Sequence, residues 1–527
     1  MLSRRHFNKI LLGSLFFPLI GNSGLKKQSF IQDTLRLNLG SEPDTLDLSK
    51  ATDSYSFDVI SNIMSGLTKY DNNLKSVPSL AKKWTVSNDG KLYTFFLGKN
   101  TKWSDGKNVL AGDFEYAWKR LLNPATAAPY AYLMYPVKNA YNFNTGKIND
   151  PNLLGVQALD DYTLQVELES PLAFFLNLTS WCVYFPQRKD IIEKYGEDWT
   201  EPKNITSCGP FKLEKWQHEY KITLNRNPYY EKPAPLHEIR YFIVPEQSSA
   251  FSLYLNNELD FIDLRSIPIS ELETVKKMNE TVTYPLLRGT YVGFNINKPP
   301  FNNKLVRAAF TLALDRNIFP KVLRRGETPA SSWIPPGLKD FYSPEIGLSF
   351  NPELAKDFLS RAGFPNGKNF PKVSMLFPTR EDAKLIAEAI QSVWQKVLNV
   401  HVEVINEEWK VYLSTLQQDP PHLFRLSWGA DFPDPDTFMT LFTSTSGNNH
   451  GRWKNKNYDK LVSKAAITLN LNERQKLYKQ AQKILLEDDV VIAPLFFNTQ
   501  IALSKPWVKN LEFNAMDLFF YENVVIG

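Results

Sequence analysis

Cysteine and histidine are scarce in this 527-residue sequence, which has two cysteines and six histidines. No two histidines stand at the spacing of metal ligands, and the Cys-x-x-Cys and His-Glu-x-x-His motifs are missing. The Gly-x-Ser-x-Gly motif of hydrolases and the glycine-rich Gly-Lys loop of nucleotide-binding proteins are missing too. Adjacent acids such as Glu407 and Glu408 point apart on a helix or strand, so they form no acid–base pair. We therefore expect a protein without a cofactor and without catalytic activity.

An excess of charge of one sign is also missing. The chain has 61 Lys and Arg against 56 Asp and Glu, and three of the basic residues fall in residues 1–23, which contain no acid. The rest of the chain is close to neutral and lacks the basic surface that binding to nucleic acid requires. We expect no nucleic-acid partner.

No apolar run reaches the roughly 18 residues of a membrane-spanning helix, and we expect the mature chain to be soluble. The run Ile10–Ile20 is too short to span a bilayer, follows the basic residues Arg4 and Arg5, and precedes the small residue Ser23. This pattern predicts a signal peptide over residues 1–23 that directs the chain to export.

The export route and the compartment depend on the same segment. The paired arginines are compatible with the twin-arginine route and with the Sec route, and the sequence leaves both open. No cysteine lies near the predicted cleavage site, so we expect no lipid anchor. An exported protein without an anchor needs an outer membrane to stay with the cell, which favours the periplasm.

The two cysteines, Cys182 and Cys208, leave two structures open. In an oxidising compartment they could form a disulfide. They could equally be two buried thiols, because the sequence does not show whether their Cα atoms come close enough for a bond.

Helices and strands alternate along the chain. Asn88-Asp89-Gly90, between two strand-like runs, predicts a β-hairpin. Val373–Phe377 and Val400–Val404 predict strands, and Glu381–Leu398 between them predicts an amphipathic helix. The residues of that helix expected to face the core are Leu385, Ile386, Ala389, Ile390, Val393, Trp394 and Val397. Strand–helix–strand order predicts a partly parallel sheet and a mixed α/β fold class. Val490–Phe497 predicts a buried strand, which Pro494 places at a sheet edge or at a bulge.

Ten short segments, taken together and in order, carry a family resemblance. They are Ser41–Asp47, Pro78–Trp84, Lys102–Lys107, Pro129–Leu133, Gly155–Leu164, Lys298–Asn302, Val306–Ala309, Ala313–Arg316, Glu408–Lys410 and Trp428–Asp431. In this order they resemble the peptide- and nickel-binding class of ABC-transporter solute-binding proteins, and most closely its oligopeptide-binding branch. Any single segment is a weak signal, but the resemblance extends over essentially all of the predicted mature chain.

The resemblance implies a two-lobed periplasmic-binding-protein fold that closes on a ligand by a hinge, with a third domain inserted. The ranges that it implies are 24–55, 179–288 and 499–527 for lobe I, 56–178 for the inserted domain and 289–498 for lobe II. It also implies a monomer that binds short peptides and delivers them to a permease complex of the inner membrane.

The resemblance assigns the ammonium group of the peptide to Asp431. Trp428, Trp409 and Tyr130 correspond to aromatic residues of the pocket, and Gly429 belongs to the same run as Trp428. Peptides of mixed sequence share a backbone and two charged ends, so a general receptor pairs with the extended backbone as an added strand. Their side chains then occupy roomy, hydrated pockets.

Three charged residues complete the candidate site. In a strand over 424–428, Arg425 faces away from its apolar neighbours and offers a forked donor to a carboxylate. Glu42 corresponds to an acid near the pocket that could meet a basic side chain of the peptide. Arg380 is a candidate to replace a histidine that receives the peptide carboxylate in some members of the family.

Four positions depart from the family pattern. Gly289 and Gly429 stand where well-known members have a disulfide near the hinge. Ala383 stands where some members have the pocket histidine, and Leu416 stands where a basic residue is expected. These departures leave the accepted peptide lengths and side chains open.

Two other functions also stay open. A receptor of the same fold could take a muropeptide, a nickel chelate or an oligosaccharide, although few histidines argue against a metal ligand and a buried acid suits a ligand with a cation. A secreted peptide hydrolase is the alternative from a different class, and it would leave cleaved products where a receptor leaves intact ligand.

Overall fold

Residues 33–527 are described by the computed structural model, with the backbone alone described at Lys410. The predicted signal peptide, residues 1–23, lies outside the described residues. Within them, no helix combines the length and the apolar composition needed to cross a membrane.

The described chain up to residue 280 contains many short strands. They are β1 (Thr34–Asn38), β2 (Thr68–Tyr70), β3 (Ser76–Pro78), β4 (Ala81–Val86), β5 (Leu92–Leu97), β6 (Val156–Asp160), β7 (Thr163–Glu167), β8 (Phe211–Gln217), β9 (Lys221–Arg226), β10 (Glu238–Phe242) and β11 (Phe261–Asp263). Its helices are α1 (Ser54–Ile63), α2 (Ala111–Leu122), α3 (Ala140–Asn144), α4 (Phe175–Leu178), α5 (Lys189–Tyr195), α6 (Gln247–Leu255) and α7 (Leu272–Val275).

The chain from residue 281 onward has longer strands and more helix. Its strands are β12 (Thr281–Phe294), β13 (Thr328–Pro329), β14 (Val373–Pro378), β15 (Val402–Glu407), β16 (Leu423–Gly429), β17 (Ile492–Ser504), β18 (Val508–Lys509) and β19 (Val525–Ile526). Its helices are α8 (Lys304–Leu312), α9 (Ile318–Leu323), α10 (Pro352–Arg361), α11 (Glu381–Leu398), α12 (Trp409–Gln418), α13 (Asp436–Met439), α14 (Lys456–Ile467) and α15 (Leu471–Lys483).

One sheet of 11 strands runs through the molecule in the order β15-β14-β16-β12-β17-β11-β1-β10-β9-β8, with β13 beside β17. At its centre the two longest strands, β12 with 14 residues and β17 with 13, pair antiparallel. Their length lets β12 also pair with β16 on one side, and β17 with β11 on the other. These two strands therefore join the half of the sheet that contains β14 to β16 to the half that contains β1 and β8 to β11.

The predicted domain boundaries fall on these connections. The boundary at 288/289 lies inside β12, and the boundary at 498/499 lies inside β17. The inserted range 56–178 begins within α1 and ends with α4. A strand that passes from one half of a sheet to the other has no sharp break, so the exact ranges stay predictions.

A second, four-stranded sheet has the order β4-β5-β7-β6. Helix α2 packs on β6 and β7, and it buries Phe114, Trp118 and Leu121 on one face. The Nε1 atom of Trp118 donates to the backbone oxygen of Tyr184 at 2.9 Å, which ties this helix to the segment after α4. The hairpin predicted around Gly90 is confirmed, since β4 and β5 pair antiparallel across that turn.

The predicted strand–helix–strand unit is confirmed, because α11 begins and ends at the predicted residues between the parallel strands β14 and β15. Its buried residues are Asp382, Ala383, Ile386, Ala387, Ile390, Trp394 and Leu398. Four residues expected in the core are only half-buried: Leu385, Ala389, Val393 and Val397. The buried residues differ from the predicted ones because α11 packs on α9 and α10 as well as on the sheet.

Pro494 lies in β17, which is an interior strand of the large sheet. The pairing of β12 and β17 shifts register between Thr290 and Tyr291, and Pro494 stands opposite Tyr291. A proline lacks the N–H that a regular ladder needs, and the shift accommodates it. The bulge is therefore confirmed, and a position at the sheet edge is wrong.

Cys182 and Cys208 are free thiols, and both are buried. Cys208 contacts the backbone of Ser65, whose N–H donates to the Cys208 Sγ at 3.4 Å. The structure thus corresponds to two buried thiols rather than to a disulfide.

Candidate functional site

Asp431 lies just beyond the end of β16, where the chain turns toward α13. Its backbone N–H donates to the Thr437 Oγ1 at 3.2 Å, and the indole Nε1 of Trp428 donates to the same oxygen at 3.4 Å. One buried threonine therefore orients both residues of the run that the family resemblance singled out.

The carboxyl group of Asp431 has no cationic partner among the described residues. The residue is half-buried, and burial raises its pKa to about 6, opposed only by a hydrogen bond with Thr437. A buried carboxylate is costly unless a cation or several donors balance it. A positive charge from a ligand would therefore balance the carboxylate of Asp431, since no described residue does so.

Two tyrosines of the predicted inserted domain face Asp431. Burial raises the pKa of Tyr130 and of Tyr132, and the negative charge of Asp431 is the next cause in each case. The two rings lie 5.9 Å apart, and the Phe57 ring lies 6.2 Å from Tyr130. The structure thus brings Tyr130 and Asp431 together, as expected, and it adds Tyr132.

Direct contacts join the end of the predicted inserted domain to the segment that follows Asp431. The rings of Phe174 and Phe432 stack at 4.8 Å, and the Asn177 Nδ2 donates to the backbone oxygen of Pro433 at 3.3 Å. A backbone hydrogen bond of 3.0 Å from Ala173 to Ala466 continues the contact. The segment that follows Asp431 is therefore fixed against the predicted inserted domain.

Arg425 lies in β16, on the same face of the strand as Ser427 and Gly429. Only 6% of the residue is exposed, and its Nε has no hydrogen-bond partner among the described residues. Burial lowers its pKa, and the negative charge of Asp382 is the main influence that opposes this. No described carboxylate forms an ion pair with it, so Arg425 is a buried cation that an anion would satisfy.

Arg380 differs from Arg425 because it has a partner. Its guanidinium pairs with Asp382 at 2.8 Å, and Arg325 approaches the same carboxylate at 3.3 Å. Burial tends to raise the pKa of Asp382, but the charges of Arg380, Arg425 and Arg325 lower it overall. The Arg380 side chain is 64% exposed, whereas Arg425 is buried.

Trp409 and Gly429, two predicted site residues, have different surroundings. Trp409 is 50% exposed, and its ring stacks on the Tyr412 ring at 5.8 Å. The Tyr412 hydroxyl in turn donates to the backbone oxygen of Arg425 at 2.5 Å. A Cβ atom on Gly429 would lie 3.2 Å from the Nε of Arg288, which places that arginine beside the strand end.

Glu42 is held by a separate cluster. Its Oε1 accepts from the Trp216 Nε1 at 2.7 Å and lies 2.7 Å from the His218 Nδ1, and its Oε2 accepts from the Glu219 N–H at 2.8 Å. Burial tends to raise its pKa, but these hydrogen bonds lower it overall. Both oxygens are occupied, and no contact joins Glu42 to Asp431, so a role in ligand binding stays a prediction.

Two of the positions that depart from the family pattern, Ala383 and Leu416, lie in the hydrophobic core. Ala383 and Leu416 are fully buried in apolar clusters, so neither replaces a polar contact. Sequence reasoning missed Thr437 and Arg288, because their proximity to Asp431 and Gly429 depends on how the chain folds. In residues 33–527, no group of three or more His, Cys, Asp or Glu residues is arranged to hold a metal ion.

Comparison with known proteins gives one consistent result. Residues 75–450 match the model of the middle part of the bacterial extracellular solute-binding proteins, family 5. The chain is 36% identical over 490 residues to the periplasmic oligopeptide-binding protein OppA of Salmonella typhimurium, covering 90% of this chain and 89% of that protein.

Solved structures agree with the sequence comparison. The murein tripeptide binding protein MppA of Escherichia coli is 32% identical, with a TM-score of 0.78 over 94% of this chain and 98% of the other. OppA of Haemophilus influenzae, in complex with the peptide RPPGFSPFR, is 31% identical, with a TM-score of 0.77 over 94% of this chain and 99% of the other.

Proposed function

The chain belongs to the bacterial extracellular solute-binding proteins of family 5, and from this membership we propose that it binds short peptides for an ABC importer. The fold is the two-lobed periplasmic-binding-protein fold of its relatives. Delivery to a permease complex of the inner membrane, as a monomer, is part of the same proposal. The periplasmic location rests on the signal-peptide pattern and on relatives that are named as periplasmic proteins.

The unbalanced carboxylate of Asp431 is the observation that carries the proposal. Its pKa of about 6 reflects burial without a cation. The ammonium group of a peptide supplies that cation, and its charge offsets the unfavourable free energy of burying the Asp431 carboxylate. Tyr130 and Tyr132 face the same position and enclose the bound group.

Arg425 supports the other end of the peptide. It is a buried cation without a described anion, and Asp431 is a half-buried anion without a described cation. Five residues separate them in sequence: Arg425 lies within β16, and Asp431 lies just beyond the end of that strand. A peptide of a few residues, with its amine at Asp431 and its carboxylate toward Arg425, satisfies both charges.

All peptides share the same backbone between their charged ends, so a receptor that binds the backbone accepts peptides of different sequence. An extended ligand can add hydrogen bonds along exposed main chain, and water can fill the space around its side chains. We propose that Trp428, Trp409 and Gly429 line this part of the site. The ranges proposed for lobe I, the inserted domain and lobe II place the ligand where all three meet.

A retention experiment tests the proposal. The purified protein is unfolded, refolded free of ligand, and incubated with a defined mixture of peptides, free sugars and nickel chelates. Mass spectrometry then identifies what the washed protein retains. Retained di- to pentapeptides support the proposal, and retention of sugars or chelates instead of peptides overturns it.

The same sample tests whether the protein only binds. A receptor leaves the total number of free amines unchanged over hours, whereas a peptidase creates one new amine for each bond that it cleaves. We propose that the amine count stays constant. A rise that depends on the protein would reveal a hydrolase.

A further inference from the structure

Arg288 lies beside the proposed peptide site but has no role in it so far. In the pairing of β12 with β16, Arg288 stands opposite Gly429. The position of a Cβ on Gly429 is 3.2 Å from the Arg288 Nε and 3.5 Å from one of its terminal nitrogens. Gly429 lies between Arg425 and Asp431 in sequence, so Arg288 stands beside the stretch of chain that joins the two proposed ends of the peptide site.

No described residue neutralises Arg288. Within residues 33–527 its guanidinium takes part in no hydrogen bond and in no ion pair. The residue is exposed to solvent, and desolvation by the surrounding protein lowers its pKa. Arg380 and Arg265 add to the lowering, and Asp517 opposes it.

Asp517 is the obvious internal partner, but it is already occupied. The Tyr284 hydroxyl donates to its Oδ1 at 2.7 Å, and the Gln500 Nε2 donates to its Oδ2 at 2.8 Å. Burial and the charge of Asp263 raise its pKa, so it is a weak counter-charge for Arg288. The unpaired positive charge of Arg288 is therefore available for an anionic group of the ligand.

The positive charges around Gly429 exceed what one carboxylate of a ligand can balance. The positive charge of Arg380 acts on two neighbouring arginines, since it lowers the pKa of both Arg288 and Arg425. Asp382 already pairs with Arg380 and Arg325. The carboxylate at the end of a peptide satisfies Arg425, and Arg288 is left over.

We propose that Arg288 forms a second anion subsite that selects peptides with an additional carboxylate between their two ends. The inference rests on the proposed peptide-binding function and narrows its substrate class. The carboxylate can come from an aspartate or glutamate side chain, or from the free α-carboxylate of a γ-linked glutamate. Arginine suits this role because its planar fork binds carboxylates through two hydrogen bonds.

Calorimetric titration of matched peptides tests the subsite. One series places Glu, or its neutral isostere Gln, at each position of trialanine. A second series compares alanyl-γ-D-glutamyl-lysine with the same peptide amidated at the glutamate α-carboxylate. We expect the charged member of at least one pair to bind about tenfold more tightly, because hydrogen bonds between charged groups are stronger than those to a neutral amide.

The variant R288Q separates the subsite from the rest of the site. We expect it to bind the neutral peptides as the wild type does and to reduce the charge preference to less than about threefold, and R288K to restore part of it. The control is R361Q, which removes an arginine from the exposed face of α10 and leaves the preference unchanged. Equal melting temperatures confirm that all variants fold.

The outcomes distinguish this inference from the function on which it rests. A preference in the α-linked series identifies ordinary acidic peptides, and a preference in the γ-linked series alone identifies γ-linked peptides. If neutral and charged peptides bind equally, or if R288Q retains the preference, the subsite is wrong while peptide binding stands. If no peptide binds at all, both are wrong.

Discussion

Asp431 and Arg425 are opposite charges that the protein buries without pairing them to each other or to another described side chain. Such groups destabilise the folded protein, and they persist where a ligand satisfies them. At the residue scale, the family resemblance found both, because the run around Trp428 is distinctive. It could not find Arg288, or the way in which Trp216 and His218 hold Glu42, because these depend on contacts between distant parts of the chain.

Replacing Asp431 by Asn should abolish most peptide binding. The variant leaves the peptide ammonium buried without a counter-charge, and we expect affinity to fall by about 2–5 kcal/mol, or at least about 30-fold. Calorimetry with trialanine measures the loss. The control D161N removes an exposed acid of the β6–β7 turn and should bind normally; equal affinity of D431N and wild type would contradict the assignment.

Peptide binding should also depend on pH. Without ligand, Asp431 has a pKa of about 6, and the ammonium of a bound peptide lowers it. Between these two pKa values the free protein carries more protons than the complex, so binding weakens as the pH falls through about 6, by up to about tenfold per pH unit. Titrations from about pH 7.5 down to about pH 4.5 measure this slope.

The variant D431N isolates the cause of that slope. Asp58 and Asp436 also have pKa values raised to about 6 and about 7. If Asp431 is responsible, the residual binding of D431N is flat over the same pH range. An unchanged slope in the variant would assign the pH dependence to another group.

At the scale of elements, local signals predicted structure well where periodicity and caps agree. The helix α11 and its flanking strands were predicted to within a few residues, because Glu381–Leu398 is uniformly amphipathic. The helix α10 begins directly after Asn351, whose side chain accepts from the Leu354 N–H at 3.0 Å, as asparagine at a helix N-cap commonly does. The interior position of β17 could not be predicted, because Pro494 alone does not show which strands lie on either side.

Two glycine substitutions should act in opposite directions on stability. A Cβ on Gly289 would lie 2.8 Å from the buried Trp333 ring, so G289A should destabilise the protein by about 1–3 kcal/mol through overpacking. A Cβ on Gly112, in the first turn of α2, meets nothing within 4 Å, and G112A should stabilise by about 0.5 kcal/mol. Chemical denaturation compares both with wild type; a neutral G289A would show that the Trp333 ring moves freely.

At the scale of the whole molecule, two long strands carry the chain between the halves of the sheet, and the predicted inserted domain contacts the segment after Asp431. The order of segments predicted the two-lobed fold, because it matches a known family. The contacts between Phe174 and Phe432, and between Asn177 and Pro433, could not be predicted, since they join residues far apart in the chain. They hold the predicted inserted domain, which contains Tyr130 and Tyr132, against the segment that follows Asp431.

The most direct test of the account compares trialanine with N-acetyl-trialanine in calorimetric titrations of the ligand-free protein at neutral pH. The two peptides share backbone and side chains and differ only at the amine that Asp431 is proposed to bind. The account predicts that trialanine binds and that acetylation lowers its affinity at least about 30-fold, because a buried carboxylate then lacks its cation. Equal binding of the two peptides, or binding of neither, would contradict it.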